Sequence, residues 1–167
     1  DTRRALKRLA HELDRQILPD GGHVSRNPVA LVDVLVDLLP LRQALGARGF
    51  ETPGPIMGAI DRMMPMLRFF RHGDGHIALF NGAGWVGQDL LATVLAFDDT
   101  RGQPSLDARF SGYQRLVAGD SIVIVDAGVA PPARLARDAH AGTLAFEFSH
   151  GAERVIINCG TPGAAQA

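Results

Sequence analysis

One pattern occurs twice in the second half of this chain, and it restricts the fold more than any other feature. Residues 113–128 run Tyr-Gln-Arg-Leu-Val-Ala-Gly-Asp-Ser-Ile-Val-Ile-Val-Asp-Ala-Gly, and residues 145–160 run Ala-Phe-Glu-Phe-Ser-His-Gly-Ala-Glu-Arg-Val-Ile-Ile-Asn-Cys-Gly. Aligned without a gap, Gly119 falls on Gly151, Val123 on Val155, Asp126 on Asn158 and Gly128 on Gly160. Strand-forming residues on both sides of a short glycine-containing loop signal a β-hairpin. The unbroken β-branched runs at 122–125 and 155–157 predict strands covered on both faces, as in one layer of a sandwich.

Upstream of this repeat the period changes. Leu6, Leu9, Leu13 and Ile17 recur at helical spacing, and Pro19-Asp20-Gly21-Gly22 ends that helix with turn chemistry. Asn27 offers an N-cap and Pro28 a first helical position. The helix they open, expected over 28–39 and bent or ended by Pro40, is apolar on nearly every side, with only Asp33 and Asp37 as a polar stripe. Such a helix needs neighbours on most sides. A third helix follows Thr52-Pro53-Gly54-Pro55, with Ile56, Ile60, Met63, Met64 and Leu67 as its buried face. Beyond Phe70 a polar turn leads to a first strand expected over 77–80 and a short helix over 88–97. The reading is therefore α+β. A helical segment covers 1–70, an antiparallel β-sandwich segment covers 71–163, and a tail covers 164–167.

A net charge of −1 gives no electrostatic footprint for nucleic acid or an anionic membrane. The single cysteine, Cys159, excludes an internal disulfide. No apolar run reaches the length of a membrane span, because Asp33 and Asp37 interrupt the most hydrophobic stretch. The chain opens with Asp1-Thr2 directly on a helical pattern, as expected of a piece of a longer protein. The rest of that parent chain is then the expected cover for the second helix.

Some motifs carry chemistry. Gly82-Ala83-Gly84-Trp85-Val86-Gly87 has the G-x-G-x-x-G form of a dinucleotide turn. Such a site also needs a second buried strand ending in an acid about twenty residues later, and residues 98–104 read as a loop. A glycine-rich bend in a β segment accounts for it better, and a sheet with no parallel strands would exclude the cofactor reading. His72, Asp74 and His76 have the donor atoms zinc takes, in a segment that also reads as a plain turn. Tyr113 and Arg115 stand two apart on a strand and so face one side, where a guanidinium would favour a phenolate. They also fit a simple cross-strand surface pair. His140 stands at the mouth of the second hairpin, and His23, Arg26 and Asn27 cluster at the first helix-helix turn, where capping alone explains Asn27. No nucleophile elbow or phosphate loop occurs.

Four segments together resemble bacterial heparinase II/III-like proteins. They are Asp20-Gly21-Gly22-His23-x-Ser25-Arg26-Asn27-Pro28, Phe69-Phe70-Arg71-His72-Gly73-Asp74-Gly75, Ser111-Gly112-Tyr113-Gln114-Arg115-Leu116 and Ala139-His140-Ala141-Gly142. The similarity runs from about residue 3 to residue 163. It implies the last helices of an α/α-toroid followed by the first strands of a β-sandwich domain. It also implies a polysaccharide lyase that cleaves beside a uronic acid by β-elimination, with an acidic polysaccharide as partner and no cofactor. That step needs the carboxylate neutralised, a base for the C5 proton and an acid for the leaving oxygen. The resemblance gives His140 as base or charge neutraliser, and His23, Arg26 and Asn27 as residues that hold the carboxylate. Tyr113 with Arg115 as proton donor is an inference from chemistry. The family's His-x-His-x-Asp pattern is here Asp138, His140 and Gly142, its following aspartate is Asn158, and residues 29–39 lack its tyrosine. A metal site is not expected, and a non-catalytic carbohydrate-binding or envelope protein on the same scaffold is the alternative.

Overall fold

The computed structural model describes residues 2–98, 104–135, 139 and 142–159. Helices α1 (Thr2–Gln16), α2 (Pro28–Ala47), α3 (Gly54–Phe69) and α4 (Gln88–Leu95) precede the strands. These are β1 (Asp107–Ala108), β2 (Tyr113–Ala118), β3 (Ser121–Asp126), β4 (Phe146–His150) and β5 (Glu153–Ile156). They pair in chain order as one five-stranded sheet, and every described pairing is antiparallel. The crevice at which a dinucleotide binds needs parallel strands, so the glycine-rich turn has no such role here.

The helices form where their apolar spacing put them. Asn27 Oδ1 accepts from Val29 N at 2.8 Å and caps α2, as its position predicts. Helix α3 packs on both α1 and α2, and α2 also meets α4. Ile56, Met63 and Leu67 of α3 are fully buried there. Helix α2 does not stop at Pro40 but runs on to Ala47, and α3 likewise contains Pro65. A proline removes the bond to the carbonyl four residues earlier. Those carbonyls belong to Val36 and Asp61, both at exposed positions, where a lost intrahelical bond costs least because solvent is at hand.

The two hairpins have the same short turn. Ala118 pairs with Ser121 around Gly119-Asp120, and His150 pairs with Glu153 around Gly151-Ala152. The glycines take φ +56° and +54°, a left-handed conformation that favours glycine at the first position of a type II′ turn. The turn fixes the register, and Tyr113, Arg115 and Val117 pair with Asp126, Ile124 and Ile122 on the inner face.

Two strand expectations fail. Residues 77–80 are buried but form no strand, only the isolated bridge from Arg71 to Ile77. Leu79 N donates a hydrogen bond to Glu147 Oε1 at 3.0 Å instead of to a neighbouring strand. The runs at 122–125 and 155–157 are not covered on both faces. Only Ile124 is buried in the first, while Val155 and Ile157 are exposed, as are Leu116 and Phe146 nearby. The inner face of the sheet instead joins the helices in one core that runs from Leu13 through Phe69 and Phe70 to Tyr113 and Ile124.

Candidate functional site

Three of the family-like segments, 20–28, 69–75 and 111–116, meet where the helices contact the sheet. Gly22 lies so close to Ser111 that an added Cβ would sit 2.5 Å from the serine Cβ. Gly112 and Gly128 touch back to back, with the Arg26 guanidinium against both. A Cβ on Gly73 would fall 1.8 Å from the Gly151 carbonyl oxygen. Glycines are needed here because two backbones approach closely, which their lack of a side chain allows.

Polar side chains bridge the contact. Asp20 Oδ2 accepts from Ser111 N at 2.7 Å, Phe110 N at 2.9 Å and Ser111 Oγ at 3.0 Å. Arg26, whose φ of +62° is rare outside glycine, lies buried across the junction. Its guanidinium donates to the Ser111 carbonyl at 2.7 Å, to Gly112 O at 3.3 Å and to Val129 O, and it forms an ion pair with Asp126. Asp126 also accepts from Asn81 Nδ2 at 3.0 Å and from Gly128 N at 3.2 Å. Asn81 in turn donates to Tyr113 OH at 2.7 Å, and that hydroxyl donates to the Arg26 carbonyl at 2.6 Å. The Arg26 guanidinium stands 5.0 Å from the centre of the Tyr113 ring.

A second bridge lies nearby. His72 Nδ1 is 2.9 Å from Ser149 Oγ and Nε2 is 3.0 Å from Glu147 Oε2, with all three side chains buried. Glu147 Oε1 accepts from Leu79 N and Asn158 N, each at 3.0 Å, and Arg154 donates to Oε2 at 3.3 Å. No cluster of three metal-ligating side chains occurs among the described residues.

These contacts change the reading of several expected site residues. Tyr113 and Arg115 share the inner face but serve different partners. Arg115 donates to the carbonyls of Phe69 at 2.7 Å and Arg71 at 2.8 Å, at the end of α3. The phenolate expectation is reversed: burial, then the Asp126 charge, pushes the Tyr113 pKa up, against smaller lowering effects of Arg26 and Asn81. The phenol stays neutral, and Phe70 and Phe80 pack on it at centroid distances of 4.9 and 5.3 Å. Arg26 does not offer a free guanidinium to a carboxylate, because Asp126 and three carbonyls occupy it. His23 Nδ1 accepts from Ser25 N at 3.1 Å, which leaves Nε2 to donate to Gln16 Oε1 at 3.3 Å. Burial lowers its pKa, which favours the neutral ring. Asn27 spends its side chain on the cap. His140 lies outside the described residues.

A cleft of about 580 Å³ lies beside this network, lined by Arg26, Asp107, Arg109, Phe110, Gln114 and Pro132 among others. Arg109 is exposed, with its guanidinium 5.9 Å from the Phe110 ring, and Phe110 is 57% exposed. A cation beside an open aromatic ring suits an anionic ligand with an apolar face. Composition missed Asp126, Asn81, Asp20 and Glu147. The hairpin turn held a signal for the first, since its register pairs Asp126 with Tyr113.

Residues 100–166 match the family described as "Heparinase II/III-like, C-terminal". FtsZ-localized protein C of Caulobacter vibrioides (strain NA1000 / CB15N) is 45% identical over 165 residues, which are 98% of this chain and 28% of that protein. Among solved structures, heparinase III superposes with a TM-score of 0.76 at 15% identity, over 93% of this chain and 30% of the other. A mutant of the heparan sulfate lyase HepC from Pedobacter heparinus gives 0.75 at 14% identity, over 96% and 29%. The chain thus spans less than a third of the proteins it matches, and at such identities the lyases share its fold.

Proposed function

Residues 100–166 of this chain match the heparinase II/III-like family, and from that premise we propose that its parent protein binds acidic polysaccharide at the junction cleft without cleaving it. One observation carries this reading. Arg26 and Tyr113, which elimination would use to neutralise a carboxylate and donate a proton, spend their polar atoms on holding the helices to the sheet. A catalytic group has to reach substrate, and the Tyr113 side chain is fully buried. What the cleft does present is Arg109 beside Phe110, while the Gln114 amide on the same lining donates to Asp107 Oδ1 at 2.7 Å. A guanidinium pairs with a uronate carboxylate through two parallel hydrogen bonds, while an aromatic ring takes the apolar face of the sugar. The identities point the same way: 45% to a protein named for its localisation with FtsZ, against 14–15% to the lyases. We extend that localisation to the parent of this chain.

The lyase reading is favoured by the heparinase III fold and by a neutral Tyr113, the protonation state a proton donor needs. In it His140 removes the C5 proton and Tyr113 protonates the leaving oxygen. One experiment separates the two. The full-length parent is incubated with a panel of uronic-acid polysaccharides while sedimentation follows binding and ultraviolet absorbance follows the unsaturated product. Binding without product, weakened by Arg109→Ala, is the expected result. Product that disappears in His140→Ala overturns the binding reading and establishes the lyase.

A further inference from the structure

Trp85 is the one tryptophan in the chain, and it is 64% exposed. It stands in the glycine-rich turn that the fold leaves without a cofactor. The turn is held in place: Asn81 and Gly82 take positive φ of 49° and 83°, and Ala83 and Val86 are buried on either side of Gly84-Trp85. With both neighbours pinned inward, the indole projects outward.

Its orientation is also fixed. The His76 ring packs on it at a centroid distance of 4.2 Å and an interplanar angle of 39°. His76 Nδ1 donates to Asp74 Oδ2 at 3.1 Å, and Asp74 Oδ1 accepts from His76 N at 3.0 Å. Gln88 Nε2 donates to Asp74 O at 3.0 Å. Arg154 Nε approaches Asp74 Oδ2 at 3.4 Å, so the carboxylate is already neutralised. Arg154 Nη1 is buried and has no hydrogen-bond partner among the described residues. Arg154 Nε is likewise buried without a hydrogen bond, so two donors of one guanidinium stand open at that place, as where a ligand or water fits.

We infer that Trp85 is a sugar-stacking platform: a pyranose ring of a polysaccharide lies on its open face, with hydroxyls meeting the Gln88 amide and the Asp74 carboxylate at its edge. A rigid aromatic ring binds with little loss of side-chain freedom, and an indole offers a large flat apolar face. A cation is the weaker fit, because Arg154 offsets Asp74 and one indole is not a cage. A nucleobase would also stack, but a chain with net charge −1 has no basic groove for its backbone. The proposal rests on the glycan reading above and adds a second place of contact, since none of these residues lines the junction cleft.

The test uses the full-length protein and the polysaccharide that sediments with it most tightly. Trp85→Ala should weaken binding about tenfold, a stacking contact of about 1.4 kcal/mol. The fluorescence difference between wild type and Trp85→Phe, which isolates the Trp85 emission, should shift as polysaccharide is added and saturate with the binding curve. Unchanged affinity in Trp85→Ala, or an emission that ignores the ligand, overturns the proposal. So does a large loss of thermal stability in Trp85→Ala with normal binding by a folded Trp85→Phe, which would mark the indole as core covered by the parent chain. If Arg109→Ala weakens binding and Trp85→Ala does not, the cleft reading stands and the platform fails. If wild type binds nothing on the panel, both fail.

Discussion

Removing the Asp126 carboxylate should loosen the contact between helices and sheet more than any other single side-chain deletion there. In Asp126→Ala the Arg26 cation stays 7% exposed, with the Ser111, Gly112 and Val129 carbonyls but no counter-charge. Asn81 Nδ2 and Gly128 N lose an acceptor as well. Breaking a buried ion pair from one side costs about 3–5 kcal/mol. For a chain of this size each kcal/mol moves Tm by about 2–4 °C, so a fall of roughly 6–20 °C is expected. Asp126→Asn keeps the shape without the charge and should fall between wild type and Asp126→Ala. Replacing both partners, as in Arg26→Met with Asp126→Leu, should recover much of the loss, because neither charge then remains buried. Urea unfolding of wild type, the double variant and its two single variants, Arg26→Met and Asp126→Leu, gives the coupling directly. A cost below about 1 kcal/mol for Asp126→Ala, the value of an exposed pair, would refute the reasoning. So would a double variant whose loss equals the sum of the two single ones.

Three further outcomes follow from local geometry. Tyr113 is the single tyrosine, and its pKa is raised by burial, so the folded state holds its proton more tightly than the unfolded chain. Stability from this group is complete below about pH 10, the unfolded value, and is lost as pH rises above it; phenolate absorbance should therefore appear only together with alkaline unfolding, and a phenolate titrating near 10 in the folded protein would contradict the burial. His23 has its pKa lowered by burial, so its contribution is present above about pH 6.5 and lost as pH falls through the folded value; His23→Gln should flatten the fall of Tm on that side, and an unchanged profile would exclude it as the source. Gly73→Ala places a Cβ against the Gly151 carbonyl oxygen and should cost several kcal/mol, whereas Gly84→Ala meets open space at an ordinary φ and should be neutral or stabilise by up to about 1 kcal/mol; equal effects in thermal melts would deny the close backbone contact.

Part of this molecule is legible one segment at a time. The faces of α1 and α3, the Asn27 cap and the glycine turns at 119 and 151 depend on residues within a few positions of each other. Helical and strand periods record which face is buried, and turn chemistry records register. The doubled hairpin was readable for that reason. Pro40 left open whether α2 bends or ends there, and only the packed structure shows it running on to Ala47, with Val36 at an exposed position. Residues 77–80 misled because apolar composition shows burial but not which group satisfies the backbone, and a glutamate 68 residues away does so for Leu79.

The sequence by itself determined that helices precede a doubled hairpin, and the resemblance that the comparisons bear out. It also put Tyr113 and Arg115 on one side of one strand. Only the tertiary structure decided that Arg26 would meet Asp126 across 100 positions, or that the Tyr113 hydroxyl would reach the Arg26 carbonyl across 87. An arginine, a tyrosine and an aspartate carry the same local signal whether they face a substrate or one another. The difference arises when two surfaces close and water leaves, because a buried charge or hydroxyl must then find a partner within the protein.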